Sequence, residues 1–339
     1  RAVGKDTRAV QPLVELAELL GMGVIDAGAL YTNFPKGNSL YAGGDVGSNL
    51  KDADVVVVLE ADVPWATPGS APSSDARIIG IGEDPLFSNY PVRGFHVDHN
   101  LSGSPRLTLS ALADAVEDIG VDSEAVQARK DKLAASSQNR RDAALKRAES
   151  GKNETPISKA WFSRCLSDVL DEDTIVLSEL GVDPSQMEFN HPGTFFGSPA
   201  SSGLGWALGA SLGSKLAAPD KTVICVVGDG SYIFGSGTAT HIVSQAQGLP
   251  VLNIVWNNGI WNAVQNATKV SYADGYAVRN NDFAVSTLSQ SFQYELICQA
   301  AGGYAERVDD PAQIPDAIQR ALHAVQVEKR QALLNIIGQ

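Results

Sequence analysis

With 339 residues, 44% of them hydrophobic and 19% charged, the chain has the size and composition of a globular protein of about two domains. Its formal net charge of −13 would repel both a nucleic-acid backbone and an anionic membrane surface. No apolar run reaches the ~20 residues that are needed to span a bilayer. We therefore expect neither nucleic acid nor a membrane as a partner.

The sequence contains three cysteines, which are odd in number and widely spaced: Cys165, Cys225 and Cys298. Without a CxxC pair or a disulfide framework, they predict a reducing, cytoplasmic location. Each lies in an apolar run, which favours a small core residue over a nucleophile. Among the histidines only His96 and His99 are close together, and their loop-like surroundings do not favour a metal site.

The first part of the sequence alternates helix and strand patterns. In chain order they predict a helix at 10–21 that ends at Gly21, a short strand at 24–26, strands at 54–60 and 77–81, and a helix at 107–119. Continuous β-branched runs such as DVVVVLE are typical of parallel strands that helices cover. This rhythm predicts a doubly wound α/β domain, which we assign to residues 1–125 as a Rossmann-like domain.

Residues 122–155 differ in character, because they are rich in Ala, Lys, Arg, Gln and Ser and nearly lack aromatic side chains. They predict an exposed helix and a linker, and we place a helical linker at 126–155. A second α/β domain follows at 156–339. Its patterns predict helices at 158–170, 206–216 and 238–247, strands at 174–177, 222–227 and 251–256, and a loop at 181–205. The fold class is therefore α/β with two doubly wound parallel-sheet domains.

Two of these strands run directly into polar turns. Strand 222–227 is followed by Gly228-Asp229-Gly230, and strand 251–256 is followed by Asn257-Asn258. Ligands of open parallel sheets bind outside the carboxyl ends of the strands. Asp229, Asn258 and the carbonyl of Ile260 offer the hard oxygen ligands that Mg²⁺ takes when it also binds a diphosphate.

Each turn by itself has a simpler interpretation, as a tight turn and as a hairpin-type turn. Taken together they are more specific, because each ends a β-branched strand and 26 residues separate Gly230 from Asn257. That interval leaves room for one crossover helix between two parallel strands. The pair therefore favours a metal and diphosphate site over two unrelated turns.

The motif GDGSY followed by NNG resembles the diphosphate and metal motif of thiamine diphosphate-dependent enzymes. The segment from HPGTFFGSPASSGLGW to GDG is similar to the branch that contains acetolactate synthase, benzoylformate decarboxylase and pyruvate decarboxylase. The resemblance covers residues 155–339 strongly. It covers residues 1–120 more loosely, through ADVPW, ARIIGIGEDP and NYPV, as the middle domain of that family.

The resemblance implies roles for residues of the metal and diphosphate loops. Asp229 and Asn258 would bind Mg²⁺ through their side chains, and Ile260 through its carbonyl. Gly228 and Gly230 allow the backbone to approach the cofactor closely, and Gly230 and Ser231 would contact the diphosphate.

Other implied roles concern the rest of the cofactor and the substrate. Leu204, which lies 25 residues before Asp229, would support the bent cofactor, and the Ser202 carbonyl would accept a hydrogen bond from its 4′-amino group. Ser178 would lie beside the cofactor. Trp261 stands where relatives carry side chains that face the substrate, and the Trp261-Asn262 pair replaces a common Tyr-Gly, which indicates an altered pocket. His191 is either a proton donor or a residue that orders its loop.

Three functions fit the resemblance. The first is a thiamine diphosphate- and Mg²⁺-dependent lyase or carboligase that acts on a small carbonyl compound such as a 2-oxo acid. The second is an oxidoreductase of the pyruvate oxidase type with FAD in the middle domain. The third is a non-catalytic subunit, against which the intact Asp229, Asn258 and Leu204 argue.

The family activates its cofactor with a glutamate of a pyrimidine-binding domain, and no part of this sequence corresponds to that domain. Neither Glu179 nor Glu188 is expected to replace this glutamate. We expect the pyrimidine-binding domain on a second polypeptide, with a longer form of this chain as the alternative. The corresponding assembly is a dimer or a dimer of heterodimers.

Overall fold

The chain is described by a computed structural model over residues 1–65, 68–199, 201 and 203–339. It divides into two compact units. The first comprises Arg1–Ala143 and Glu188–Phe196, and the second comprises Ala144–Met187 and Gly197–Gln339. Within the described residues, no helix has both the length and the hydropathy that crossing a bilayer requires.

The first unit contains short parallel strands and the helices that cover them. Its elements are α1 (Val10–Leu20), β1 (Val24–Ile25), β2 (Tyr41–Gly43), α2 (Val46–Leu50), β3 (Val55–Leu59), β4 (Arg77–Gly82), β5 (His99–Ser102) and α3 (Pro105–Ile119). Strand β1 pairs with β2, and β3, β4 and β5 form a second sheet in that order. Every one of these pairs is parallel.

Helix α1 shows how the sequence pattern determines an element of this unit. The helix buries Val10, Leu13, Leu16 and Ala17 on one face. The last three of these pack with Leu109 of α3 in one hydrophobic cluster. The helix ends where Gly21 adopts a left-handed conformation with φ of 60° and donates its N–H to the Ala17 carbonyl. The predicted helix and its end at Gly21 are confirmed.

After α3 the chain continues into α4 (Ser123–Gly151), a helix of 29 residues. The chain passes from the first unit to the second within this helix. Most of its side chains are exposed, as expected from the Lys- and Arg-rich composition of this segment.

The elements that follow α4 carry the motifs. They are α5 (Lys159–Ser167), β6 (Thr174–Glu179), β7 (Phe195–Gly197), α6 (Trp206–Ala217), β8 (Thr222–Gly228), α7 (Asp229–Phe234), α8 (Gly237–Gln247), β9 (Leu252–Asn257), α9 (Asn262–Ser271), α10 (Tyr276–Asn280), α11 (Tyr294–Ala300), β10 (Tyr304–Val308), α12 (Ile314–Gln326) and β11 (Ala332–Ile337).

The sheet of the second unit places β8 and β9 side by side near its centre. Five consecutive strands of this sheet follow the order β10, β11, β9, β8 and β6, and all of these pairs are parallel. Every residue of β9 and β11 is buried, as are the first six residues of β8. Strands that are buried on both faces read as continuous apolar runs, which explains the β-branched stretches of the sequence. The predicted α/β class with parallel sheets is confirmed.

Several elements lack a clear local signal. The GDG motif was expected to form a turn, whereas Asp229 and Gly230 begin the short helix α7. Glycine lowers helix propensity by about 1 kcal/mol, so a helix that starts on Asp-Gly-Ser depends on its tertiary contacts. Strands β10 and β11 and helices α9 to α11 were likewise not predicted.

Candidate functional site

Parallel pairing of β8 and β9 brings the two polar turns together. Gly228 at the end of β8 lies opposite Trp256, one residue before the end of β9. Residues 223–227 of β8 and 254–256 of β9 are apolar, and the polar residues of the two motifs follow them directly. The 26 residues between Gly230 and Asn257 contain the crossover helix α8, as predicted.

Asp229 connects the two turns through its carboxylate. The side chain is buried, with 2% of its surface exposed. Its Oδ1 accepts a hydrogen bond from the Gly230 N–H at 2.8 Å, and its Oδ2 accepts one from the Gly259 N–H at 2.8 Å. The second bond crosses from the end of β8 to the loop after β9, so a single carboxylate orients both loops.

Among the described residues, no cationic side chain forms an ion pair with this carboxylate. Burial raises the pKa of Asp229 despite the two backbone hydrogen bonds. Burial and the charge of Asp229 together raise the pKa of Tyr294 to about 12. A divalent cation at Asp229 would offset the desolvation of the carboxylate, so this position fits Mg²⁺.

The loop after β9 supplies two further oxygen atoms. The Asn258 Oδ1 accepts a hydrogen bond from the Ile260 N–H at 3.2 Å, which forms an Asx-type turn. Gly259 stands in the middle of that turn with φ of 70°, a conformation that favours glycine. In the described part of the chain the Ile260 carbonyl accepts no hydrogen bond, so it is available to a ligand.

The donor set is too small to hold a metal ion alone. The described residues include no cluster of three or more His, Cys, Asp or Glu side chains that could hold a metal ion. One carboxylate, one amide oxygen and one carbonyl match the sites in which Mg²⁺ keeps positions for phosphate oxygens and water. The residues present therefore fit a metal ion that is shared with a diphosphate.

The glycines of the GDG motif differ in the space around them. A Cβ on Gly230 would lie 2.7 Å from two ring carbons of Trp261, so the indole packs directly on this glycine. A Cβ on Gly228 would meet nothing closer than the Ser231 Oγ at 3.9 Å. Gly228 thus leaves open space beside the loop, and Trp261 is placed against the predicted diphosphate-binding residues.

A segment that sequence reasoning missed fixes the backbone of residues 257–261, which we call the metal loop. The Trp261 N–H donates to the Ser286 carbonyl at 2.8 Å, and the Leu288 N–H donates to the Gly259 carbonyl at 2.7 Å. The Gln290 Nε2 donates to the Asn257 carbonyl at 3.2 Å. These bonds join residues about 30 positions apart, which no local sequence signal reports.

The remaining predicted site residues are placed as follows. Ser178 lies in β6 opposite Val226 of β8, near the same edge of the sheet. Leu204 is half-buried in the loop before α6, and Ser202 lies outside the described residues. His191 belongs to the first unit, is exposed, and accepts a hydrogen bond from the Thr194 Oγ1 through its carbonyl at 2.7 Å. Its catalytic role stays a prediction.

Glu179 has a structural position that the sequence did not indicate. It is the last residue of β6, with 3% of its surface exposed. Its Oε1 accepts from the Gly205 N–H at 2.7 Å, and its Oε2 accepts from the Ala207 N–H at 3.1 Å. Glycine at the N-cap of helix α6 has no side chain that could cap the helix. This glycine is the local sequence signal that a residue elsewhere in the chain supplies the cap.

Comparison with known protein families decides what this domain is. The family described as thiamine pyrophosphate enzyme, C-terminal TPP binding domain, matches residues 182–336. Residues 182–336 are therefore similar to the C-terminal domain of thiamine pyrophosphate enzymes. Thiamine pyrophosphate is the same compound as thiamine diphosphate, so the resemblance carried by the GDG and NN motifs is confirmed.

Individual relatives agree with this assignment. The chain is 29% identical over 225 residues to a probable acetolactate synthase of Mycobacterium bovis, a match that covers 65% of this chain and 38% of that protein. It is 36% identical over 102 residues to a benzoylformate decarboxylase of Pseudomonas aeruginosa, covering 29% of this chain and 19% of that protein.

A solved structure shares the fold along nearly the whole chain. The thiamine diphosphate-dependent 4-hydroxybenzoylformate decarboxylase of Rhodococcus jostii RHA1 superposes with a TM-score of 0.73 at 22% identity. The match covers 99% of this chain and 60% of that one. The chain therefore spans clearly less than the full length of the proteins that it resembles.

Proposed function

We propose that this chain forms the diphosphate- and Mg²⁺-binding half of a thiamine diphosphate-dependent enzyme that breaks or forms a C–C bond next to a carbonyl group. The substrate class is a 2-oxo acid or a related small carbonyl compound. The observation that carries the proposal is the buried carboxylate of Asp229, which joins the GDG and NN loops and lacks a cationic partner among the described residues.

Residues of the two motifs would bind different parts of the cofactor and its metal ion. Asp229, Asn258 and the Ile260 carbonyl would hold Mg²⁺, and the metal would in turn hold the diphosphate. Ser231 and Gly230 lie in the first turn of α7, where backbone N–H groups favour an anion. When bound, thiamine diphosphate supplies an electron sink for the electron pair that C–C cleavage leaves behind.

Other residues of the chain determine the surroundings of the reacting atoms. Leu204 would support the bent form of the cofactor, and the Ser202 carbonyl would accept a hydrogen bond from its amino group. Trp261, packed on Gly230, would exclude water from one side of the metal loop and narrow the substrate space. The reaction ends as a cleavage if the substrate pocket next admits a proton. It ends as a ligation if the pocket admits a second carbonyl compound.

The proposal includes a pyrimidine-binding domain that lies outside these 339 residues. We expect it on a second polypeptide, so that the active unit is a dimer or a dimer of heterodimers. Native mass spectrometry of the protein from its own source, with Mg²⁺ and thiamine diphosphate present, tests this point. A second polypeptide supports the split arrangement, whereas the same domain on a longer form of this chain contradicts it.

The metal and cofactor site is tested by titration calorimetry of Asp229→Ala. Without the single anionic ligand, Mg²⁺-dependent affinity for thiamine diphosphate should fall at least about a hundredfold. Asp310→Ala is the matched control, because Asp310 also accepts a backbone N–H, from Ala312 at 2.9 Å, but at the start of a different helix. Equal affinity in wild type and Asp229→Ala would refute the site assignment.

We do not propose the flavin-dependent alternative. At the carboxyl ends of β3 and β4 the Glu60 Oε1 accepts from the Glu83 N–H at 2.9 Å, and Asp84 follows directly. These carboxylates would repel the diphosphate of a flavin dinucleotide. The purified protein should therefore show no visible absorbance from an oxidised flavin.

A further inference from the structure

The loop that carries Leu204 is held in place from two sides. On one side Glu179 binds the N–H groups of Gly205 and Ala207 with both carboxylate oxygens. On the other side the backbone of Gly205 contacts Gly235, which directly follows α7. Leu204 is the residue immediately before this doubly fixed glycine.

The contact between the two glycines is very close. A Cβ on Gly205 would lie 2.2 Å from the Gly235 Cα, 2.5 Å from its N and 3.0 Å from the Ser231 carbonyl oxygen. Only hydrogen atoms fit between these two backbones. The Leu204–Gly205 segment is therefore positioned against the same short helix whose first turn contains Asp229, Gly230 and Ser231.

The capping interaction of Glu179 differs from an ordinary surface cap. The carboxylate is buried with 3% exposure, and it comes from the end of a strand 26 residues earlier in the chain. A buried carboxylate that is bound by two N–H groups at a helix N-terminus is fixed by geometry and by the helix dipole. A change in this carboxylate therefore alters the hydrogen bonds of the Gly205 and Ala207 N–H groups directly.

We propose that Glu179 is a positioning residue for cofactor binding. It holds the start of α6 against α7, and thereby sets the distance between Leu204, which would support the bent cofactor, and Ser231 of α7, which would contact the diphosphate. This inference rests on the proposed role of Leu204. It predicts that Glu179 affects the affinity for the whole cofactor and leaves the affinity for its diphosphate part nearly unchanged.

The test compares two ligands on the same protein in its native assembly with Mg²⁺, by titration calorimetry. The ligands are thiamine diphosphate and inorganic pyrophosphate, which shares the diphosphate but makes no contact at Leu204. Glu179→Gln keeps the shape of the side chain but turns an N–H₂ group toward one backbone N–H. Affinity for thiamine diphosphate should fall about tenfold, the order of one charge-assisted hydrogen bond, and affinity for pyrophosphate should stay within about twofold.

A double-mutant cycle shows whether the effect passes through Leu204. If Glu179 acts on Leu204, Glu179→Gln should weaken thiamine diphosphate binding no further when Leu204→Ala is already present. Glu179→Asp, which retains the charge but shortens the reach, serves as the second variant and should show the same selectivity for the complete cofactor.

The outcomes separate the inference from the proposed function. Equal losses for both ligands, or additive losses in the cycle, mean that Glu179 merely supports the fold and overturn the inference. Selective loss in Leu204→Ala without loss in Glu179→Gln also overturns it, and leaves the proposed role of Leu204 intact. If Leu204→Ala itself has no selective effect, the supporting role of Leu204 falls, and this inference falls with it.

Discussion

The contact between Gly205 and Gly235 allows a prediction with a closely matched control. Gly203 and Gly205 flank Leu204 and share a left-handed backbone, with φ of 79° and 86°. A Cβ on Gly203 would meet nothing within 4 Å, whereas a Cβ on Gly205 would meet the Gly235 backbone at 2.2 Å. Substitution by alanine therefore adds the same backbone strain at both positions but steric overlap at only one.

The expected loss in the free energy of unfolding has two contributions, the left-handed backbone strain and the steric overlap. An L-residue in the left-handed region costs about 1–2 kcal/mol, which applies to Gly203→Ala and Gly205→Ala alike. Overpacking adds about 1–3 kcal/mol, and the backbone of Gly235 cannot rotate aside as a side chain can. We expect Gly205→Ala to lower the free energy of unfolding by about 1–3 kcal/mol more than Gly203→Ala does.

Gly235→Ala tests the same contact from the other side. A Cβ there would lie 2.7 Å from the Cα and the O of Gly205, and φ of Gly235 is −79°, so left-handed strain plays no part. Gly235→Ala should therefore lower the free energy of unfolding by the overpacking contribution alone, about 1–3 kcal/mol.

Urea denaturation followed by circular dichroism and tryptophan fluorescence measures all three variants, provided that the slope with denaturant is unchanged. If Gly205→Ala and Gly203→Ala differ by less than about 0.5 kcal/mol, the close backbone contact is not present in solution and the reasoning fails.

Two further predictions concern buried titratable groups. Burial lowers the pKa of His241 below its ordinary value of 6.5, so the unfolded chain binds more protons there, and stability should fall as the pH drops from 7 through 6.5. His241→Phe should remove this component, up to about 1.4 kcal/mol per pH unit, from the pH dependence of unfolding; an unchanged slope would contradict the assignment. Burial also raises the pKa of Cys165 and Cys298 to about 12 and that of Cys225 further, so iodoacetamide should label none of the three before denaturation, as intact mass would report.

Sequence by itself determined the elements whose side chains follow a simple period. The apolar spacing of α1 and the β-branched runs of β8 and β9 are local properties, and they predicted both the elements and the α/β class. The motif residues Asp229 and Asn258 could also be found locally, because each directly follows such a run. Their proximity followed from the parallel arrangement alone.

Tertiary structure decided the contacts that join residues far apart in the chain. Sequence analysis assigned no role to Glu179 beyond excluding it as the activating glutamate. In the structure it caps α6, whose N-cap residue lies 26 residues later in the chain. Segment 286–290 holds the metal loop, and Gly205 meets Gly235, without any pattern that announces these contacts. The physical reason is that periodicity reports which face of an element is buried. It does not report which distant hydrogen-bond partner or backbone that face will meet.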